Sequence, residues 1–148
     1  MKAADIEMRW IILIGNENFD LNTIKAVEHY GSIDSYGVPE IKGRYCVDFG
    51  EDHIFYDFVD IVEEYEKNEL NKIPYANPNF ILMIYTSKTR IRNILKQDNF
   101  PDNIYIDNDF GVFLPIKEFA KLGMPLDEDD MKQLMKLIEL KKCNNELI

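Results

Sequence analysis

Cys46 and His53 are the pair in this sequence best suited to nucleophilic catalysis. They fall on two runs that read as the arms of a hairpin, so a favourable register would place thiol and imidazole on one face. A catalytic thiol needs such a base, because a free thiol is largely protonated at neutral pH. No carboxylate is fixed by spacing to orient the imidazole, and a cysteine on a strand otherwise serves as a small buried hydrophobe. Paired acids such as Asp57 and Asp60 would suit general acid–base work, yet acid pairs abound in a chain with 27 acidic side chains. His29, near the end of a short helix, reads as a surface cation favoured by the helix dipole.

Phosphate and dinucleotide sites need glycines at fixed spacing, so that backbone amides can approach an anion. The seven glycines here stand singly at turns. Metal sites need several converging ligands, and the paired Cys and His spacings that supply them are missing. The densest carboxylate group, Asp102, Asp107 and Asp109, departs from the calcium-loop pattern because Gly111 stands one place too early relative to Asp107. Residues 107–109 read instead as a solvated turn. No metal and no cofactor are implied, and the reading favours a chain that is not an enzyme.

Charge is distributed unevenly. The net charge is −10, and residues 48–69 hold nine acids against one base, Lys67. Residues 98–109 add four acids and no base, whereas Lys88, Arg90, Arg92 and Lys96 make one segment basic. Such a surface repels nucleic acid and anionic membrane and attracts a basic partner. Like charges crowded together also oppose folding unless a counter-charge offsets them, although a solvated acidic face that only aids solubility has the same composition. Aromatic residues, among them Tyr45, Phe49, Phe55, Tyr56, Phe58 and Tyr65, are interleaved with these acids. One or two of them exposed among carboxylates would form an anchor with an acidic rim.

The elements that carry these residues follow from periodicity. At 148 residues, 46% hydrophobic, the chain suits a single domain over 1–148, with 1–7 as a loose leader. Residues 9–14 and 80–85 are apolar runs of the kind found in strands buried on both faces. Asp20 caps a helix bearing Leu21, Ile24 and Val27, stopped by Gly31. Residues 32–38, checked by Gly37 and Pro39, read as an edge strand. Residues 44–49 and 53–57 form a hairpin about residues 50–52, in which Tyr45, Val47 and Phe49 share a face. Helical spacing of Phe58, Ile61, Val62 and Tyr65 predicts a helix next, then a loop over 71–79. Ser87 caps a basic helix with Ile91, Ile94 and Leu95 inward. Strands follow over 103–106 and 112–114, then a short helix from Pro115 to a stop at Gly123. The last helix has acids 127–130 at its start, lysines toward its end, and an apolar stripe of Met131, Leu134, Met135 and Ile138. The order βαβββαβαββαα implies an α/β (α+β) fold, a mixed and mainly antiparallel sheet flanked by helices. Two cysteines are too few for a disulfide framework, and no apolar run reaches the roughly 20 residues of a membrane span, so a reducing cytoplasm is expected.

In size, acidity and the texture of residues 45–58, 79–85 and 104–111, the chain resembles the small acidic immunity proteins (antitoxins) of bacterial polymorphic toxin systems. The resemblance extends over about residues 9–120 and assigns no individual binding residue. It implies a cytoplasmic protein that binds a cognate toxin, often a nuclease, and blocks its active site. The acidic hairpin and helix then supply the expected contacts, Asp52, Asp57, Asp60, Glu63 and Glu64, with Asp107 and Asp109 as a second patch. The rival readings are a small hydrolase-like enzyme using Cys46, His53 and nearby carboxylates, or a ligand-binding adaptor with an apolar cavity.

Overall fold

The computed structural model describes residues 8–38 and 43–146. The expected leader over 1–7, and the check at Pro39, lie outside the described residues. Chain order is β1 (Arg9–Gly15), α1 (Leu21–Lys25), β2 (Asp34–Gly37), β3 (Arg44–Asp48) and β4 (His53–Val59). A 3-10 turn (Val62–Glu64) and α2 (Lys67–Leu70) follow, then β5 (Asn79–Tyr85), α3 (Lys88–Leu95), β6 (Tyr105–Asp107), β7 (Phe113–Pro115), α4 (Ile116–Lys121) and α5 (Glu128–Glu146). The seven strands form one sheet in the order β2-β3-β4-β5-β1-β6-β7. Every ladder is antiparallel, so the mixed, mainly antiparallel sheet expected from the element order is antiparallel throughout the described residues.

The two apolar runs lie side by side near the middle of this sheet, and Ile11 to Ile14 are all buried. Alternation sends Ile11 and Leu13 to one face, where they meet Ile24, Ile91, Ile94 and Phe119 from the helices. Ile12 and Ile14 point the other way, toward Ile73 and Phe80, with Ile61, Val62, Tyr65 and Leu70 packed over them. The sheet therefore has a full helical layer on its first face and a smaller cover, from residues 61–75, on its second. Full burial of one such aliphatic side chain contributes roughly 1.5–3 kcal/mol, so β1, buried on both faces, anchors both cores. At its end Gly15 is required sterically, because a Cβ there would lie 2.4 Å from the Phe19 side chain.

Local signals fix most ends as expected. Asp20 accepts from the Thr23 amide in a capping box, and Ser87 accepts from the Arg90 amide. Gly123 follows α4 with φ 82°, the left-handed conformation a helix stop needs. The helix predicted from Phe58 is absent. β4 runs on to Val59, pairing Phe58 with Ile81 and Val59 with Phe80, and the Phe58 amide donates to the Gly43 carbonyl at 2.7 Å. Pairing with β5 on one side and the Gly43 carbonyl on the other satisfy the backbone there, which outweighs a helical spacing of four apolar residues. Ile61, Val62 and Tyr65 still face inward, but from a 3-10 turn.

His29 also departs from expectation. It is half-buried, its Nε2 lies 2.7 Å from the hydroxyl of the buried Tyr56, and its ring meets Tyr56 edge-on. Burial lowers its pKa, opposed by a backbone hydrogen bond at Val27, so it is neutral at pH 7 rather than a surface cation. A base whose folded pKa is lowered contributes stability that is complete above the unfolded value and lost as pH falls below it. Unfolding free energy should therefore decline between about pH 7 and pH 5, and His29→Gln should flatten that slope. Parallel slopes in the two proteins, measured by urea titration at several pH values, would refute the assignment.

The stripe of α5 is partly covered, and only in its first half. Met131 packs against the helical layer, whereas Met135 and Ile138 are exposed.

Candidate interaction surface

The basic segment and part of the acidic one close on each other in space. On α3, Arg90 pairs with Asp52 through two hydrogen bonds of 3.2 and 3.0 Å, its guanidinium stacked 4.0 Å over Phe49. Lys88 reaches Asp127 at 2.5 Å and Asp130 at 3.1 Å, and Arg92 reaches Asp130 at 2.6 Å. Arg9 from β1 completes this clasp on Asp127. Across β3 and β4, Arg44 binds Asp57 in bidentate fashion, both bonds 2.6 Å.

These pairs sort the seven expected contact residues. Asp52 and Asp57 are engaged by arginines and largely withdrawn from solvent. Asp60, Glu63 and Glu64 are exposed around the 3-10 turn, with no ion pair among the described residues. Asp107 accepts the Tyr65 hydroxyl at 2.7 Å and sits half-buried at the border of the second face. Burial raises its pKa, only partly offset by the Asp109 amide and the Tyr65 hydroxyl. Asp109 is exposed, at φ 63°, a conformation that Asp tolerates better than most residues. The seven do not form one patch: Asp52 is held by α3 on the helical side of the sheet, whereas Asp57 and Asp107 belong to the second face.

On that face the registers align Tyr36, Cys46, Phe55, Ile84 and Trp10 directly opposite one another across five consecutive strands. The cover from residues 61–75 packs over Ile12, Ile14 and Phe80 but not over this row, and Tyr36 and Trp10 are each 46% exposed. Two residues further along the ladders, on the same face, Asp34 stands opposite Asp48 and Asp48 opposite His53. On the other side run Arg44, Asp57, Leu82, Ile12 and Asp107. The result is an apolar, largely aromatic row with carboxylates on both flanks. Like charges directly opposite on adjacent strands destabilise a sheet. Asp34 and Asp48 form such a like-charged pair in the β2–β3 ladder.

The row ends at a cleft of about 320 Å³ lined by Met8, Arg9, Trp10, Asp109, Phe110, Asp127, Glu128 and Asp129. Its far wall is built by a buried asparagine. The Asn108 Oδ1 accepts from the amides of Phe110 at 2.9 Å and Val112 at 3.0 Å, while its Nδ2 donates to the Pro125 carbonyl at 2.9 Å. Those bonds hold the turn that presents Asp109 and Phe110, and the ring is left 47% exposed. Asn108→Ala would leave three backbone groups without their partner, at roughly 1–3 kcal/mol for each one that stays buried. The expected outcome is a melting temperature lowered by several degrees together with a shift in the emission of Trp10, the only tryptophan. A stable variant with unchanged emission would show that the loop does not depend on this side chain.

Cys46 and His53 do share a face, one diagonal step apart in the β3–β4 ladder. Cys46 is only 1% exposed, and burial pushes its thiol up, partly offset by a hydrogen bond from Tyr36. His53 is exposed, with its ring edge-on to Phe55, and no hydrogen bond joins it to Cys46 among the described residues. Nothing in the sequence pattern marks Trp10, Phe110, Asp34, Glu128 and Asp129 as contacts. Trp10 begins an apolar run and looked like core; the turn residues 107–111 were the only signal near Phe110. Among the described residues no helix is long and apolar enough to cross a membrane. Known protein families, curated proteins and solved structures return no match to this chain.

Proposed function

We propose that this chain is a non-catalytic, immunity-type inhibitor that binds a basic protein partner, a toxin domain such as a nuclease, through the open face of its sheet. The observation that carries this reading is the aromatic row flanked by carboxylates. A stable interface needs apolar anchors that shed water at its centre and charged groups at its rim. Tyr36, Phe55, Ile84 and Trp10 supply the first. Asp34, Asp48, Asp107 and Asp109 supply the second, with Asp60, Glu63 and Glu64 beyond them. The remaining negative charge steers a basic partner during encounter. A nuclease presents cations for phosphate, and an acidic surface can occupy them in place of nucleic acid. The cytoplasm is the compartment this role implies.

The test begins with affinity capture from native host extract at low and moderate salt. The retained basic protein is then purified and assayed with and without this chain. Stoichiometric loss of its activity, restored by Tyr36→Ala with Trp10→Ala, would support the reading. A captured partner whose activity is unaffected, or one inhibited equally well by the double variant, would refute it.

A further inference from the structure

We propose that the cleft between Trp10 and Phe110 is the seat of a single arginine side chain from the partner. This rests on the proposed binding role only for the source of that arginine; the recognition chemistry belongs to the cleft itself. Its volume, about 320 Å³, lies at the small end of ligand sites and suits one side chain rather than a helix or strand. Trp10, Phe110 and Met8 are each about half exposed on its walls, so apolar surface is available to a flat group.

The charges of the lining are unequal. Asp127 is engaged by Lys88 and by Arg9, itself a partly exposed cation of the lining, so the uncompensated charge of the cleft is that of Asp109, Glu128 and Asp129. Glu128 has a long contact of 3.9 Å to Lys132, both side chains exposed. Asp109 and Asp129, both exposed, take part in none of the ion pairs among the described residues. An anion would be repelled, and a purely apolar group would strip water from carboxylates without replacing it. A guanidinium satisfies both halves of the cleft. Its planar face stacks on an indole or phenyl ring, its edge presents N–H donors to carboxylates, and it is more weakly hydrated than an ammonium group. The backbone that carries each wall is held before binding, that of Trp10 by the β1 ladder and that of Phe110 by the Asn108 bonds, so the ordering needed when the ligand arrives is confined to side chains.

The experiment titrates arginine amide, lysine amide and citrulline amide into the full chain and follows the indole N–H of Trp10 by NMR. Citrulline keeps the shape of arginine and removes its charge. A saturable shift with arginine amide is expected, at least several-fold weaker with lysine amide and lost with citrulline amide. Phe110→Ala and Asp129→Asn, both at exposed positions, should each weaken the arginine response by roughly three- to tenfold while circular dichroism and melting stay unchanged. An equal response to citrulline amide, no saturable shift with arginine amide, or full responses in both variants would overturn the proposal. If arginine seats here but no basic protein is inhibited, the proposed function fails and the site stands. If a basic partner is inhibited as well by Phe110→Ala as by the natural chain, the site fails and the function stands.

Discussion

Asp127→Ala is expected to lower stability by about 2–4 kcal/mol, toward the lower side of the range for breaking a buried ion pair because Arg9 and Lys88 keep part of their solvation. The Asp127 side chain is 3% exposed. One carboxylate oxygen meets both Arg9 and Lys88; the other accepts the Asp130 amide at 2.9 Å in the first turn of α5. Alanine would remove the carboxylate that Arg9 and Lys88 share and leave an amide without its acceptor. At roughly 2–4 °C per kcal/mol for a domain of this size, melting should fall by about 4–16 °C. Asp127→Asn keeps the amide acceptor and should fall between the two. Burial by itself would raise the Asp127 pKa, but the Lys88 hydrogen bond, the Asp130 amide and the nearby cations hold it below the ordinary carboxylate range. A lowered folded pKa gives stability that is complete above the unfolded value and lost as pH falls through the folded one. The natural chain should therefore lose this contribution below about pH 4, and Asp127→Asn should show a shallower acid limb. A loss under about 1 kcal/mol in Asp127→Ala would mean that the clasp is a surface ornament of α5 and not what fixes it to β1 and α3.

The clasp also shows where the sequence was legible and where it was not. Strands β1 and β5, the 44–57 hairpin, the Ser87 and Asp20 caps and the Gly123 stop depend on near neighbours in the chain, and they stand where the pattern put them. The pairing of Arg90 with Asp52 spans 38 residues and that of Arg9 with Asp127 spans 118, separations at which composition carries no register. Basic α3 and the acidic hairpin therefore read as segregated charge, although the fold sets one against the other. The same limit explains Trp10. Strand periodicity says which face a side chain takes, but exposure depends on where the cover on that face stops. The cover is made of Ile61, Val62, Tyr65, Leu70 and Ile73, and the first three of these, with Phe58, have the apolar spacing that predicts a helix. A helix starting at Phe58 would have ended β4 early. Only the ladder to β5 decides that Phe58 and Val59 belong to the strand.

Charge reversal should divide the acids into two groups with opposite consequences. Asp52→Lys with Asp57→Lys places a lysine against Arg90 and another against Arg44, both in partly buried positions. Each change removes charge-assisted bonds and substitutes repulsion, and together they should lower stability by about 3–6 kcal/mol. Any binding defect in that variant would follow from unfolding. Asp60→Lys with Glu63→Lys and Glu64→Lys should leave melting within a degree or two, because these side chains are exposed around the 3-10 turn without ion pairs among the described residues. Its effect should fall on association with the basic partner: a rate lowered by roughly ten- to a hundredfold at low salt, with the difference shrinking as ionic strength rises. Dissociation should change little, since that depends on the aromatic row and not on the rim. Stopped-flow association at two salt concentrations, alongside thermal melts, separates the two groups. A triple variant that associates at the natural rate would remove Asp60, Glu63 and Glu64 from the interface and confine it to the open row and the Trp10 cleft. A double variant that melts normally would mean that the Asp52 and Asp57 pairs are too weakly held to matter, and would return both carboxylates to the surface available for binding.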